Sequence, residues 1–195
     1  MTEYTTKTFN VPELRGISVK TIEEHLKLYA GYVKHTNLIL SKIQELKKDA
    51  EANAYALGEI NRRFGFEYNG MRNHEIYFSL LEGGSNSSSP ESALTQKIIE
   101  QWGSFDAWMN EFKAISLTRG IGWAMLYYDR AADRLLNAWI DEQHLGQLQD
   151  CTLLLALDMW EHSYVADYQP SGKKSYVDDY LAQMNWQKVE ERFKK

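Results

Sequence analysis

The first part of the chain places apolar residues at helical spacing. After Ser18, a predicted N-cap, Ile22, Tyr29 and Val33 belong to an apolar series that continues to about Ala50, which predicts one long helix. A second helical stretch runs from about Glu51 to Leu81, and its interruption near RRFGFEYNG suggests a bend. The two stretches are expected to pack as an antiparallel hairpin.

A polar segment separates this hairpin from the rest of the chain. GGSNSSSPES, residues 83–92, is rich in Gly and Ser and has little apolar area to bury, so it predicts a linker. We therefore expect an N-terminal helical hairpin domain over residues 1–84 and a C-terminal domain over residues 90–195. The C-terminal domain begins with two predicted helices, Ala93 to Trp102 and Ser104 to Leu117.

After Arg119 the apolar residues come in short runs separated by turn-like segments. IGWAMLYYD, DRLLNAWID and TLLLALD predict three strands, and the first two are expected to form a hairpin. A helical DMWEHSYVADY, a QPSGKK loop and an amphipathic helical YVDDYLAQMNWQKVEERF follow. Helices first and strands among helices afterwards indicate an α+β fold.

Composition and charge narrow the possible functions. The 195 residues include 22 Lys and Arg against 27 Asp and Glu, a net charge of −5, which argues against a general binder of nucleic acid or anionic membranes. No apolar run approaches the roughly 20 residues of a membrane helix, and no signal peptide is visible, so we expect a cytoplasmic protein. Cys151 is the only cysteine, which excludes an intrachain disulfide, and we expect it in the core.

Two histidines are predicted to face the core. His25 shares a helix face with Tyr29 and Tyr32, and His74 lies on the stripe that contains Met71 and Phe78. A neutral buried imidazole needs partners for both nitrogens. A metal ion on one nitrogen and a hydrogen bond on the other would satisfy it.

The segment Asp158-Met159-Trp160-Glu161-His162 completes a candidate metal-binding set. Asp158 ends the most apolar strand, and His162 follows four residues later on a predicted helix. Alone, this spacing is more typical of an ordinary helix cap and a surface histidine. Together with His25 and His74 it offers three nitrogens and one oxygen, which suit Fe or Mn better than structural zinc or calcium.

Several motifs together resemble the iron/manganese superoxide dismutase family: GISVKTIEEH, NGMRNHEIYF, SFDAWMNEF, GIGWAML, LLLALDMWEHSY and YVDDYLAQMNW. The resemblance implies that His25, His74, Asp158 and His162 bind one Fe or Mn ion per subunit. It also implies a helical hairpin followed by an α+β domain with a three-stranded antiparallel sheet, with superoxide as substrate in a homodimer.

The resemblance also assigns residues around the metal. Gln143 would hydrogen-bond the metal-bound solvent, with His144 as the other candidate, and Gly70 together with Gln143 resembles the manganese arrangement. Tyr32 would be the gateway tyrosine, with Tyr29 as second choice, because the first helix is one residue shorter than the family pattern. A regular helix in place of one with a π-bulge would account for that difference.

The remaining implied roles concern the walls, the interface and the approach of substrate. Trp123 and Trp160 would wall the site, while Glu161 would reach His162 of the partner subunit. Lys173 or Lys174 would steer the superoxide anion.

We therefore expect a superoxide dismutase that alternately reduces and oxidises its metal ion. The alternative is a binding or assembly protein with this fold and weakened activity, although such a role would not require the four ligands. Another mononuclear iron enzyme, such as an oxygenase, would be expected to use two histidines and one carboxylate, which three histidines fit less well.

Overall fold

The computed structural model describes residues 2–194, and its N-terminal half is a helical hairpin. Helix α1 spans Val19–Leu46 and continues into a 3-10 turn at Lys47–Asp49, and α2 spans Ala54–Ser79. The Ser18 hydroxyl accepts a hydrogen bond from the backbone N–H of Thr21, which confirms the predicted N-cap. α1 is a regular α-helix throughout, without a π-bulge.

The predicted interruption of the second helix is wrong, since α2 is continuous through RRFGFEYNG. Two of its glycines provide space for side chains of neighbouring elements. A Cβ atom at Gly70 would lie 2.5 Å from the Tyr32 ring of α1, and one at Gly65 would lie 3.3 Å from the His144 ring. Glycine weakens a helix modestly, and close packing against Tyr32 is the reason to tolerate it at position 70.

The next two helices agree with the sequence pattern. Residues 83–92 connect α2 to α3, which spans Ala93–Trp102, and α4 spans Phe105–Ser116. The connecting segment pairs with the C-terminal part of the chain, because Asn86 accepts a hydrogen bond from the Trp186 backbone N–H at 2.9 Å. The division into domains at residues 84 and 90 stays a prediction.

Three antiparallel strands form the sheet, as predicted. They are β1 (Gly122–Asp129), β2 (Arg134–Asp141) and β3 (Cys151–Asp158), in the order β2-β1-β3. Trp123 at the start of β1 lies opposite Asp158 at the end of β3. Two candidate site residues therefore lie side by side at one end of these strands. Cys151 begins β3 and is half-buried rather than fully in the core.

The segment after β3 is less helical than predicted. A 3-10 turn at Glu161–Ser163 precedes the short helix α5 (Val165–Tyr168) and another 3-10 turn at Pro170–Gly172. His162 therefore lies on a 3-10 turn and not on an α-helix. The Asp158 carboxylate accepts the Trp160 backbone N–H at 2.8 Å, and the Ser163 hydroxyl donates to the Asp158 carbonyl at 3.1 Å. These local bonds favour a tight turn over a regular helix.

The C-terminal segment forms two helices, α6 (Lys173–Gln183) and α7 (Trp186–Lys194), where the sequence predicted a single helical stretch. Met184 is extended, with ψ 140°, and the backbone N–H of Asn185 donates to the Leu80 carbonyl at 2.7 Å. The residues between α6 and α7 are therefore hydrogen-bonded to the end of α2. Lys173 and Lys174 begin α6 and are not part of a loop.

The helical hairpin packs against the sheet, and α2 contacts β3 directly. The interior is one apolar cluster that includes residues of both parts, such as Tyr29 and Phe78 from the hairpin and Trp123 and Leu155 from the sheet. No helix in residues 2–194 has the length and apolar content that crossing a membrane requires.

Candidate metal centre

Four elements bring together the side chains of His25 (α1), His74 (α2), Asp158 (the end of β3) and His162 (the following 3-10 turn). Asp158 Oδ2 lies 3.1 Å from His25 Nε2, 3.2 Å from His162 Nε2 and 3.5 Å from His74 Nε2. One ligand atom of each residue lies within 4.8 Å of all the others, and the described residues contain no second cluster of this kind.

The spacing suits a shared ion. Two ligand atoms about 2.1 Å from one metal ion are about 3.0 Å apart at a right angle and about 3.6 Å apart at 120°. The three Nε2 to Oδ2 distances, 3.1 to 3.5 Å, fall in this interval. The donor set of three imidazoles and one carboxylate is appropriate for Fe or Mn.

His74 provides an independent test of the fit. Its Nδ1 lies 2.6 Å from the Gly70 carbonyl oxygen, so this nitrogen carries the proton and donates it. Its Nε2 is buried and has no hydrogen-bond partner among the described residues. A buried nitrogen with a free lone pair, beside a carboxylate and two other imidazoles, is what a metal ligand requires.

The electrostatics of the cluster favour a cation. Burial alone would raise the pKa of Asp158, but His162 and His25 hold it well below its usual range, so the carboxylate is charged. Burial, reinforced by His25, lowers the pKa of His74 to about 3, and burial also lowers the pKa of His25. Among the described residues, no Lys or Arg pairs with Asp158.

Contacts behind the ligands hold them in place. Asp158 Oδ1 accepts the Trp160 backbone N–H, so Oδ2 is the oxygen that faces the three histidines. The Tyr176 hydroxyl donates to the Asp158 carbonyl at 2.9 Å, which fixes the end of β3 from the C-terminal side. Buried partners of this kind orient metal ligands.

Gln143 connects two aromatic residues beside the cluster. The Trp123 indole N–H donates to Gln143 Oε1 at 2.9 Å, and Gln143 Nε2 donates to the Tyr32 hydroxyl at 3.0 Å. The rings of Trp123 and Tyr32 are each centred 5.0 Å from the His74 ring. Gln143 is fully buried, so this hydrogen-bonded chain is a fixed part of the site.

The two other candidates make different contacts. The Tyr29 hydroxyl donates to Glu75 at 3.3 Å and accepts the Lys7 backbone N–H at 3.0 Å. The ring of His144 packs edge-on against Phe66, 5.8 Å between centroids. Tyr32, rather than Tyr29, and Gln143, rather than His144, are thus the two candidates that contact each other and the aromatic residues around His74.

The predicted wall, interface and steering residues have distinct positions. The Trp160 ring stacks on His162 at 5.9 Å, and its indole N–H donates to the Glu142 carbonyl at 3.2 Å. Glu161 is exposed.

The two predicted steering lysines differ in their contacts. Lys173 Nζ donates to the Thr118 carbonyl at 2.8 Å and lies 5.3 Å from the centre of the Trp139 ring, whereas Lys174 is exposed.

Sequence reasoning missed three residues of this region: Phe66, Asn73 and Gln147. The Phe66 ring contacts Tyr32 and Trp160, and its position eight residues before His74 on the same helix could have indicated this. Asn73 and Gln147 both hydrogen-bond the Gln143 carbonyl. Nothing in the local pattern of the loop pointed to Gln147.

Comparisons with known proteins place this site in context. A family model described as iron/manganese superoxide dismutases, C-terminal domain, matches residues 90–192. Superoxide dismutase [Fe] of Cupriavidus metallidurans is 37% identical over 185 residues, which cover 93% of this chain and 90% of that protein. Superoxide dismutase [Fe] of Aquifex aeolicus is 34% identical, with coverage of 93% and 86%. Superoxide dismutase [Mn] of Mycolicibacterium fortuitum is 33% identical, with coverage of 87% and 80%.

Proposed function

The chain belongs to the iron/manganese superoxide dismutase family, and we propose that its reaction takes place at the cluster of His25, His74, Asp158 and His162. The protein is a metal-dependent superoxide dismutase, which converts two superoxide anions and two protons into dioxygen and hydrogen peroxide. The observation that carries this proposal is the convergence of three Nε2 atoms on Asp158 Oδ2, within 3.5 Å.

The three histidines would hold the ion through Nε2, and Asp158 would hold it through Oδ2. A bound Fe or Mn ion supplies the one-electron chemistry, since it can be reduced by one superoxide anion and reoxidised by the next. The charged carboxylate and the neutral imidazoles leave a bound trivalent ion with positive charge, which attracts the anionic substrate.

Tyr32 and Gln143 are proposed to manage the protons that the peroxide product requires. Burial and the nearby Asp158 carboxylate raise the pKa of Tyr32, so its hydroxyl stays protonated at neutral pH. This hydroxyl accepts from Gln143 Nε2 and therefore has its own proton available to donate. Tyr32 is half-buried, so solvent can restore a proton that it gives up.

Aromatic side chains limit what else can enter. Trp123 is fully buried against His74, and Trp160 stacks on His162. The Phe66 ring packs against both Tyr32 and Trp160, with centroid distances of 6.1 and 6.4 Å. A small anion is compatible with such a confined site, whereas a bulky substrate is not.

His162→Ala tests the metal centre. We expect metal content to fall from about one ion per chain to a small fraction and activity to be lost, because a ligand is removed. His35→Ala is the control, since this histidine is 54% exposed and lies outside the cluster. A His162→Ala protein with full metal content and activity would exclude this site.

Gln143→Ala and His144→Ala distinguish the two candidates for the hydrogen-bonding partner at the ion. We expect Gln143→Ala to lower kcat with metal retained, and His144→Ala to have a small effect. The opposite result would assign the role to His144.

The metal is Fe or Mn, since relatives named for iron and for manganese both match. The pairing of Gly70 with Gln143 resembles the manganese arrangement. Metal analysis of the protein from its native host, followed by activity assays after reconstitution with Fe or Mn, identifies the activating metal. Fractionation of the same cells tests the proposed cytoplasmic location.

We also propose a homodimer in which Glu161 reaches His162 of the partner subunit. Glu161 is exposed, and the adjacent His162 side chain remains 23% exposed in the single chain. Light scattering should show a dimer that dissociates more readily in Glu161→Gln than in the control Glu51→Gln, which changes another exposed glutamate. Equal dissociation of both variants would remove Glu161 from the interface.

Lys173 and Lys174 are proposed to draw superoxide toward a protein whose net charge of −5 repels it. The double variant Lys173→Gln/Lys174→Gln should have a lower kcat/KM and a weaker dependence on ionic strength. Lys174→Gln alone separates steering from structure, because Lys173 also bonds the Thr118 carbonyl. An unchanged salt dependence in the double variant would discard the proposal.

A further inference from the structure

Two side-chain amides converge on the backbone of Gln143. Its carbonyl oxygen accepts from Asn73 Nδ2 at 2.9 Å and from Gln147 Nε2 at 3.3 Å. Gln147 Nε2 also donates to Asn73 Oδ1 at 3.1 Å. Because Asn73 uses its NH₂ group on the carbonyl, its oxygen is the atom left to accept from Gln147, and the three amides fit together in this one orientation.

The amide clamp, defined as Asn73 and Gln147, links a rigid helix to an irregular loop. Asn73 is 1% exposed and immediately precedes His74 on α2. Gln143 lies in the loop after β2, directly after Glu142, whose φ of 51° is in the left-handed region that non-glycine residues seldom adopt. A turn with this conformation needs stabilising contacts from its surroundings, and the clamp supplies two of them.

We infer that Gln147, together with Asn73, positions Gln143 for the reaction. The clamp holds the Gln143 carbonyl at one end, while Trp123 and Tyr32 bond its side-chain amide at the other. Gln147 bonds neither a metal ligand nor Tyr32, so it is a positioning residue that acts through Gln143. This inference rests on the role proposed above for Gln143.

Gln147→Glu is the variant that tests the inference. It keeps the side-chain length but replaces the NH₂ donor with a carboxylate beside the two oxygens that now accept from it, which weakens the hold on Gln143. Gln147 also lines an open groove of about 870 Å³ on the side of α2 that carries Arg72 and Glu75. The new carboxylate can therefore be hydrated, and the variant should fold. Gln149→Glu, an exposed position on the same loop, is the control for charge.

Three quantities are measured on metal-loaded protein: metal content, the visible absorption spectrum of the ion and kcat. We expect Gln147→Glu to keep its metal and to lower kcat about three- to tenfold, the factor that one lost hydrogen bond contributes. Its spectrum should shift in the same direction as that of Gln143→Ala, by a smaller amount. Gln149→Glu should match the unaltered protein in all three measurements.

The deciding experiment places Gln147→Glu in the Gln143→Ala background. If Gln147 acts through Gln143, the second substitution has no further effect on kcat or on the spectrum. An equal loss in both backgrounds, or no loss in the otherwise unaltered protein, would overturn the inference. If Gln143→Ala alone changes neither kcat nor the spectrum, the proposed role of Gln143 is what fails.

Discussion

The side chains of Asp158 and Glu75 are two buried carboxylates with different partners. Asp158 contacts His74, and Glu75 is the next residue along the helix. Glu75 Oε2 lies 2.7 Å from Lys7 Nζ and 2.9 Å from Arg72 Nη1, and its other oxygen accepts the Tyr29 hydroxyl. Asp158 Oδ2 faces three imidazoles, and its Oδ1 accepts the Trp160 backbone N–H, so no cationic Lys or Arg of the described residues pairs with this carboxylate.

The contrast explains which of the two can bind a metal. A buried charge is costly unless it is paired, and Glu75 is paired by two cationic side chains of the same chain. Asp158 has only neighbours that can remain neutral, with nitrogen lone pairs available, so an external cation is needed to balance it. Successive helix residues point about 100° apart, which keeps these two environments on separate sides of α2.

The largest expected effect is on metal binding, which should depend on the Asp158 carboxylate and not on that of Glu75. Asp158→Asn should reduce metal affinity more than about 100-fold, since even partners behind the ligands contribute about 10- to 100-fold. Glu75→Gln should retain about one ion per chain. Metal content after dialysis, with activity measured on the same samples, checks both. Metal loss in Glu75→Gln comparable to that in Asp158→Asn would show that the two sites are not independent.

Removal of the metal should have the next largest effect. An ion present at about 1,000 times its Kd stabilises the folded state by about 4 kcal/mol, so chelation should lower the thermal midpoint substantially. The same treatment should leave Asp158→Asn unchanged and should still destabilise Glu75→Gln. Differential scanning calorimetry with and without chelator measures this. A chelator effect that persists in Asp158→Asn would indicate that the stabilising ion binds elsewhere.

Glu75→Gln should instead affect stability. We expect a loss of about 1–3 kcal/mol in the free energy of unfolding, because a buried acceptor of three polar groups is altered while Lys7 and Arg72 remain partly exposed. Urea unfolding measures the change. Glu45→Gln, which removes the solvent-exposed pair with Lys42, should cost much less than Glu75→Gln. Equal costs for the two variants would contradict the structural role of Glu75.

The smallest expected effect on stability comes from replacing either of two tyrosines of α1, Tyr29 or Tyr32, with phenylalanine. Tyr29→Phe removes the hydroxyl between Glu75 and the Lys7 backbone and should cost about 1 kcal/mol with kcat unchanged. Tyr32→Phe removes the acceptor of the buried Gln143 amide and should cost a similar amount, but, unlike Tyr29→Phe, it should alter kcat and saturation behaviour. Urea unfolding and steady-state kinetics on both variants provide the test. Unchanged kinetics in Tyr32→Phe would reject it as the gateway residue.

Local patterns predicted much of this molecule and failed at identifiable places. The apolar spacing around His25 and His74 placed both on the inner faces of helices, and the short apolar runs located the three strands. The glycines of α2 suggested a break, because glycine weakens a helix. Their packing partners, Tyr32 and His144, are distant in sequence, so the local pattern did not show why glycine is present there. Met184 and Asn185 lie in a helical pattern and nevertheless end α6, because Asn185 bonds the end of α2.

The sequence by itself determined the helical hairpin, the α+β order and the four metal-ligand candidates, since each depends on spacing within one element or on the DMWEH motif. Only the tertiary structure decided that Tyr32 rather than Tyr29 bonds Gln143, and that Asn73 and Gln147 hold the Gln143 carbonyl. Helical periodicity defines the face on which a side chain lies. Which of two residues on that face meets a given partner depends on how distant parts of the chain pack together, since Tyr32 and Asn73 are 111 and 70 residues from Gln143 in the sequence.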